Sequence, residues 1–262
     1  MDMKGIVPLL ITYNELPNIA RTLAGLTWAE RIVVVDSGST DGTLEILASD
    51  ARIQVAFRPF DTFADQCNYG LSLIGETAKW VLYLDADQIV TPEFIKEVEA
   101  LHEAEEVAAY EAGFIYCVFG RPIRGSLYPP RPLLFRLGAG HFINKGHGHW
   151  IKVNGIVKSL RSKVLHDDRK KLGRWLKGQD GYMEIEKTKL IAAHWLDLDW
   201  ADRARRMLFV APWLFPIVYL VGRGGLLSGL PGLYYAIQRS LAEMILSLKL
   251  IEARLSKEGK IR

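Results

Sequence analysis

The chain has 262 residues, 49% of them apolar, which is enough to build one large or two small domains and argues against a disordered chain. A formal net charge of +3 and a pI near 8.7 are too mild to imply a nucleic-acid partner, so where the basic residues fall matters more than their total. Two cysteines, Cys67 and Cys117, lie far apart without ligand spacing, which argues against a disulfide framework and points to core thiols in a reducing compartment.

Residues 1–10 pass directly into a strand-like run without the long apolar stretch of a secretory signal, so a cytoplasmic location is expected. Short β-rich runs then alternate with helical patterns. GIVPLLI (5–11) precedes a helix from about Glu15, RIVVVD (31–36) a helix from Thr43, RIQVAF (52–57) a helix near 63–75, and WVLYLD ends the series at Asp85. Continuous apolar strands separated by helices predict an α/β fold, a Rossmann-like and mostly parallel sheet flanked by helices. In such sheets ligands gather beyond the carboxyl ends of the strands. Thr12, Tyr13, Asn14 and Glu15 fall there, as do the loop from Asp36 to Gly42 and the triplet Asp85, Ala86 and Asp87. Taken singly these residues also read as turns and caps, and Asp87 as the cap of a helix starting near Thr91 and Pro92. At a strand end, residues i and i+2 share a side, so Asp85 and Asp87 are expected to face one hard divalent cation, Mg²⁺ or Mn²⁺, with a nucleotide diphosphate supplying further oxygens.

LLITYNE, IVVVDSGSTDGT and LYLDADQ, in this order and spacing, resemble the family 2 glycosyltransferases with a GT-A fold. The resemblance implies that Tyr13 packs on a uracil-type base, that Asp36 hydrogen-bonds it, and that Asp85 and Asp87 hold the ribose side and the metal. It also implies that Gln66 and Asn68, in FADQCNYGL, line the sugar nucleotide; an ordinary polar helix face reads the same.

From Ala112 to His166 there is no Asp or Glu, while Arg121, Arg124, Arg131, Arg136 and Lys158 are among the nine basic residues within it. A segment of one sign creates a positive field suited to a diphosphate, a phosphorylated acceptor or acidic lipid headgroups, or forms a solvated basic surface. The same segment holds His141, His147 and His149 among Gly140, Gly146 and Gly148, which reads as a flexible loop over an acceptor pocket rather than a zinc site. His166 ends an apolar run, and the resemblance implies that it supplies a further metal ligand.

The tail from Lys170 is similar to that of lipopolysaccharide-core glucosyltransferases of this family. Those relatives carry a His-Glu pair in the acceptor region, whereas here His149 is followed by Trp150. An inverting transferase needs a base for the acceptor hydroxyl, which leaves His149, His147, Asp167 and Asp168 as candidates. A polyprenyl phosphate acceptor, already ionised, needs none.

Residues 207–221 form an apolar run interrupted by Pro212 and Pro216. It is shorter than the roughly 20 residues of a spanning helix. With Arg203, Arg205, Arg206 and Arg223 around it, and with Trp213, Tyr219, Tyr234 and Tyr235 nearby, it predicts a monotopic region on the cytoplasmic face of the plasma membrane. The alternative is a hydrophobic hairpin packed on protein, including an oligomer through the C-terminal helices.

The organisation expected is a GT-A domain over 1–195, with a nucleotide-sugar half (1–110) and an acceptor half (111–195), followed by amphipathic membrane-associating helices over 196–262. The expected activity is metal-dependent transfer of a hexose or N-acetylhexosamine from a UDP-sugar to a glycolipid or lipopolysaccharide-type acceptor. A polyprenyl-phosphate transferase and a non-catalytic membrane scaffold are the rivals. A nucleotidyltransferase is disfavoured because LLITYNELPN has no Gly-rich, basic phosphate loop.

Overall fold

The computed structural model describes residues 1–75, 78–102, 105–125, 128–145 and 148–258. The chain forms two compact units, one of residues 1–120 and 128–169, the other of 121–127 and 170–262.

In the first unit β1 (Ile6–Thr12), α1 (Ile19–Ala24), β2 (Ile32–Asp36), α2 (Thr43–Ala48), β3 (Ile53–Phe57), α3 (Phe63–Ser72), β4 (Trp80–Asp85), β5 (Gln88–Ile89), α4 (Pro92–Glu99) and β6 (Val107–Val118) follow in chain order. After the two-residue β7 (Arg121–Pro122), which belongs to the second unit, come β8 (Arg131–Arg136), β9 (Gly140–Lys145), β10 (Gly148–Val153) and β11 (Ile156–His166). The main sheet runs β3-β2-β1-β4-β8-β6-β11-β5. β1 to β4 are parallel to one another, β8 is antiparallel to β4 and β6, and β5 lies antiparallel to β11 at the edge.

Successive residues of the central strands face opposite layers, as the two-residue period of a strand requires. Ile6, Leu10, Val34 and Leu82 enter one apolar cluster with Phe94 of α4, while Val7, Leu9, Val33, Val35 and Tyr83 enter the other with Cys67 of α3. Both faces are therefore covered, which is why these runs are continuously apolar. Gly70 lets α3 press on the sheet, because a Cβ there would lie 2.4 Å from Leu9 Cδ1. Both cysteines are free and buried, and burial raises both thiols, Cys117 to about 11.

Three local expectations change. The helix expected from Glu15 begins at Ile19, and before it the backbone N–H groups of Asn14, Glu15 and Leu16 donate to Ser39, Thr43 and Asp41 side chains. The cap of α4 is Thr91, which accepts from Phe94 N, so Asp87 is not used for that purpose. The segment expected as a hinged loop is a hairpin: β9 and β10 pair antiparallel from Gly140↔Val153 to Lys145↔Gly148, with Gly140 inside a strand. Gly146 and His147 lie outside the described residues.

The second unit holds α5 (Leu172–Ala192), α6 (Trp200–Arg206), α7 (Ala211–Ile217) and α8 (Gly229–Glu258). Met183 and Leu190 of α5 pack with Leu246 and Leu250 of α8. Tyr219, in a π turn after α7, meets Tyr235 of α8 edge-on, ring centroids 4.7 Å apart.

Candidate active site

Three loops at the carboxyl ends of β1, β2 and β4 build one edge of the first unit. Asp36, 1% exposed, ends β2 and holds its loop together. Its Oδ1 accepts from the backbone N–H of Gly38 and Ser39, both at 2.8 Å, and its Oδ2 from the Thr12 and Ser39 hydroxyls at 2.8 and 2.5 Å. A carboxylate accepts about four hydrogen bonds, so the expected contact between Asp36 and a base has no vacant acceptor. Asp36 shapes the loop instead. Asn14 sits at φ 55°, a left-handed conformation that Asn tolerates, and its Oδ1 accepts from Thr40 N at 2.7 Å. The two loops are thus laced together, with the Tyr13 ring 54% exposed between them. Glu15 turns the other way, its Oε2 accepting from Asn18 Nδ2.

β4 ends at Asp85, and the chain reverses through Ala86 and Asp87 into β5. The strand alternation that was expected to aim both carboxylates at one point therefore stops before Asp87. Asp85 accepts from the Tyr83 hydroxyl at 2.6 Å and from Gln88 Nε2 at 2.9 Å, and its own N–H donates to Gln88 Oε1. Burial pushes its carboxyl up, but His149, the Tyr83 hydroxyl, Arg131 and His166 outweigh it and hold the group below the usual range. Ala86 is buried and its carbonyl accepts from the Thr22 hydroxyl, so it serves as backbone.

Asp87 faces His166. Its Oδ2 lies 3.6 Å from His166 Nε2, brought there by the antiparallel register His166↔Gln88. The imidazole stacks on Tyr116 at 4.8 Å and 17°, and its buried Nδ1 has no hydrogen-bond partner among the described residues. Among the described residues no three His, Cys, Asp or Glu side chains converge, so Asp85, Asp87 and His166 do not form a three-ligand cluster. The pair alone still suits a hard cation, which takes one or two carboxylates and completes its shell with substrate phosphates and water.

Asp167 and Asp168 follow. Asp167, 3% exposed, accepts from Arg21 at 2.6 Å, Arg169 at 2.9 Å and Gly120 N at 2.8 Å. Those bonds occupy the carboxylate and correct its assignment as a base. Asp168 accepts from Asn18 Nδ2 at 2.9 Å, and Asn18 Oδ1 accepts from Arg21 and Arg169 N, so both aspartates tie β11 to α1.

Gln66 and Asn68 are also spent internally, against the expectation that they line a ligand. Gln66, fully buried, donates to Ser37 Oγ and Arg58 O and accepts from Arg58. Asn68 clamps β9 by donating to Phe142 O and accepting from Phe142 N, both at 2.9 Å. The hairpin so held carries His149 to a narrow pocket lined by Asp85, Gln88, Arg131 and Trp150. The His149 ring packs edge-on against Tyr83 at 5.2 Å, and burial lowers its pKa, with Asp85 opposing. Arg131 lies over the Tyr128 ring at 4.7 Å. Sequence reading passed over Tyr83, Gln88, Asn18 and Arg21. Tyr83 alone had a local signal, being two residues before Asp85 on the same strand face.

The sequence profile described as Glycosyl transferase family 2 matches residues 9–152, more than half of the chain. The chain belongs to glycosyl transferase family 2. Its GT-A architecture is the sheet described above, and the match takes in Tyr13, Asp36, Asp85, Asp87 and His149, while His166 to Asp168 lie beyond it. An uncharacterized glycosyltransferase of Rickettsia prowazekii, RP128, is 32% identical over 113 residues, 42% of this chain and 38% of that one. A second, from Rickettsia bellii, is 29% identical over 110 residues, covering 42% and 36%. The chain thus aligns with well under half the length of these relatives. Among solved structures, S. aureus TarS 1-349 in complex with UDP-GlcNAc is similar over 97% of this chain and 92% of that chain, at 14% identity and a TM-score of 0.48.

Proposed function

We propose that this family 2 chain is an inverting glycosyltransferase that moves a hexose or N-acetylhexosamine from a UDP-sugar to a lipid-linked acceptor, assisted by Mg²⁺ or Mn²⁺. The observation that carries the reading is the Asp87 and His166 pair, set 3.6 Å apart beside the ionised Asp85 at the carboxyl edge of the sheet. Asp87 Oδ2 and His166 Nε2 would hold the cation. Bound there, it supplies Lewis-acid stabilisation of the departing diphosphate.

The remaining work belongs to the chain. Tyr83 and Gln88 fix Asp85 as an ionised acceptor for donor hydroxyls. Tyr13 offers an exposed ring on which the base stacks. The acceptor oxygen attacks the anomeric carbon as its bond to the diphosphate oxygen breaks on the opposite face, which inverts the centre. His149, kept neutral by burial, takes the acceptor proton. A second reading replaces the hydroxyl with an ionised lipid phosphate, favoured by the Arg131 guanidinium in the same pocket as His149.

The test is a panel of UDP-sugars incubated with membrane lipid extract, with chelator and with Mg²⁺ or Mn²⁺ restored. Transfer is expected to stop in chelator, and Asp87→Ala to lower kcat roughly a hundredfold or more. Full transfer in chelator overturns the metal role. Retained activity in His149→Ala selects the phosphate acceptor.

A further inference from the structure

The helices of the second unit carry many exposed apolar side chains. Phe209, Trp213, Ile217 and Val221 recur every fourth residue from just before α7 through the π turn, and each is 57–71% exposed. Leu226, Leu230, Leu233 and Ile237 recur at helical spacing from the turn before α8 into its first turns, 45–77% exposed. The opposite faces are the ones that pack: Ala211, Phe215 and Tyr219 on one arm, Tyr235 and Ala236 on the other. Two apolar stripes therefore remain uncovered on the outside of a helical hairpin, which is the pattern of an interaction surface.

The arms, Ala211–Gly222 and Gly225–Ser256, bend by 75° at the break, and together they reach the hydropathy of a membrane-embedded pair, although no single described helix is long and apolar enough to cross one. The turn is built for close approach. A Cβ on Gly225 would lie 2.5 Å from the Tyr219 ring, and one on Gly232 would lie 2.2 Å from Gly225 O. At its tip Val221, Leu226, Leu227 and Leu230 are 64–77% exposed.

Charge decides the occupant. Residues 203–242 contain Arg203, Arg205, Arg206, Arg223 and Arg239, and Asp202 and Glu243 flank them. Arg205 and Arg239 are engaged by Glu243, and Arg203 and Arg206 stand over the Trp195 ring at 6.0 and 5.8 Å. Arg223, at the bend, is exposed; a second copy docking tip to tip would set it against its own counterpart, whereas an anionic headgroup complements it. We infer that the bent α7 and α8 hairpin is a monotopic anchor, its tip leucines and Trp213 entering the acyl boundary of an anionic lipid surface.

The full chain is sedimented with vesicles of phosphatidylcholine, with and without phosphatidylglycerol. Binding is expected to rise at least roughly tenfold with phosphatidylglycerol. In Leu226→Glu/Leu227→Glu/Leu230→Glu it is expected to fall at least roughly tenfold with an unchanged melting curve, since these side chains are exposed. Asp87→Ala is expected to bind vesicles like the parent chain, which separates the anchor from the catalytic reading. Should that triple variant lose its melting transition, Trp213→Gln is sedimented in its place and is expected to weaken binding. A chain that stays in solution with every vesicle, tip substitutions without effect on binding, or a concentration-dependent oligomer that those substitutions dissolve would each overturn the anchor.

Discussion

Asp167 illustrates how a side chain in a reactive-looking position is committed elsewhere. Two guanidinium groups and one backbone N–H occupy it, so its charge stabilises the join between β11 and α1. Asp167→Asn is expected to cost about 3 kcal/mol in urea unfolding while kcat of the folded protein changes less than roughly threefold. A large kcat loss at unchanged stability would restore it as a base. His149 predicts a pH effect of definite sign. Burial depresses its folded pKa below the ordinary 6.5, so below that pH the unfolded chain binds a proton that the folded chain refuses. This contribution to stability is complete above pH 6.5 and lost as pH falls through the window beneath it. His149→Phe should therefore flatten the dependence of Tm on pH between about 7 and 5. Equal slopes in the two proteins would contradict the buried neutral imidazole.

The elements show the same division between what is local and what is imposed. In α8, Glu243 is 2% exposed and accepts from Arg205 at 3.1 Å and Arg239 at 3.3 Å. Burial opposes the charge on Arg205, and Glu243 overrides it, raising the guanidinium pKa. Glu243→Gln should destabilise the second unit by about 3–5 kcal/mol, and joint replacement of Arg205 and Glu243 by Met and Leu should recover most of that loss. Failure of the pair to recover, measured by thermal melting, would show that the charges themselves are needed. β1, β2 and β4 were legible because strands covered on both faces must be apolar throughout. The start of α1 was not, because the residues before it are held by side chains of another loop. The β9 and β10 hairpin was hidden by its glycines and histidines, which mask the alternation of Phe142 and Ile151. Asp85 and Asp87 were legible as residues but not as a pair, since the turn after β4 redirects the second. That Asp87 meets His166 follows from the β5 and β11 register, a long-range fact with no local signature.

At the scale of the molecule, family membership rests on the first unit, and the second unit is discontinuous in sequence. Residues 121–127 belong with 170–262, and Arg124 N donates to Ser228 Oγ at 2.9 Å in the turn before α8. A piece comprising only 170–262 is expected to exchange its amides near 225–232 at least roughly tenfold faster than the full chain, because that support is missing. Equal protection would make residues 121–127 dispensable. The chain thus passes between its units at 120/121, 127/128 and 169/170. A part inserted in this way cannot be gained, lost or exchanged by one crossover in the gene, since a single breakpoint leaves residues 121–127 with the wrong partner. Exchange of residues 170–262 at a single breakpoint therefore gives residues 121–127 a foreign helical unit to pack with.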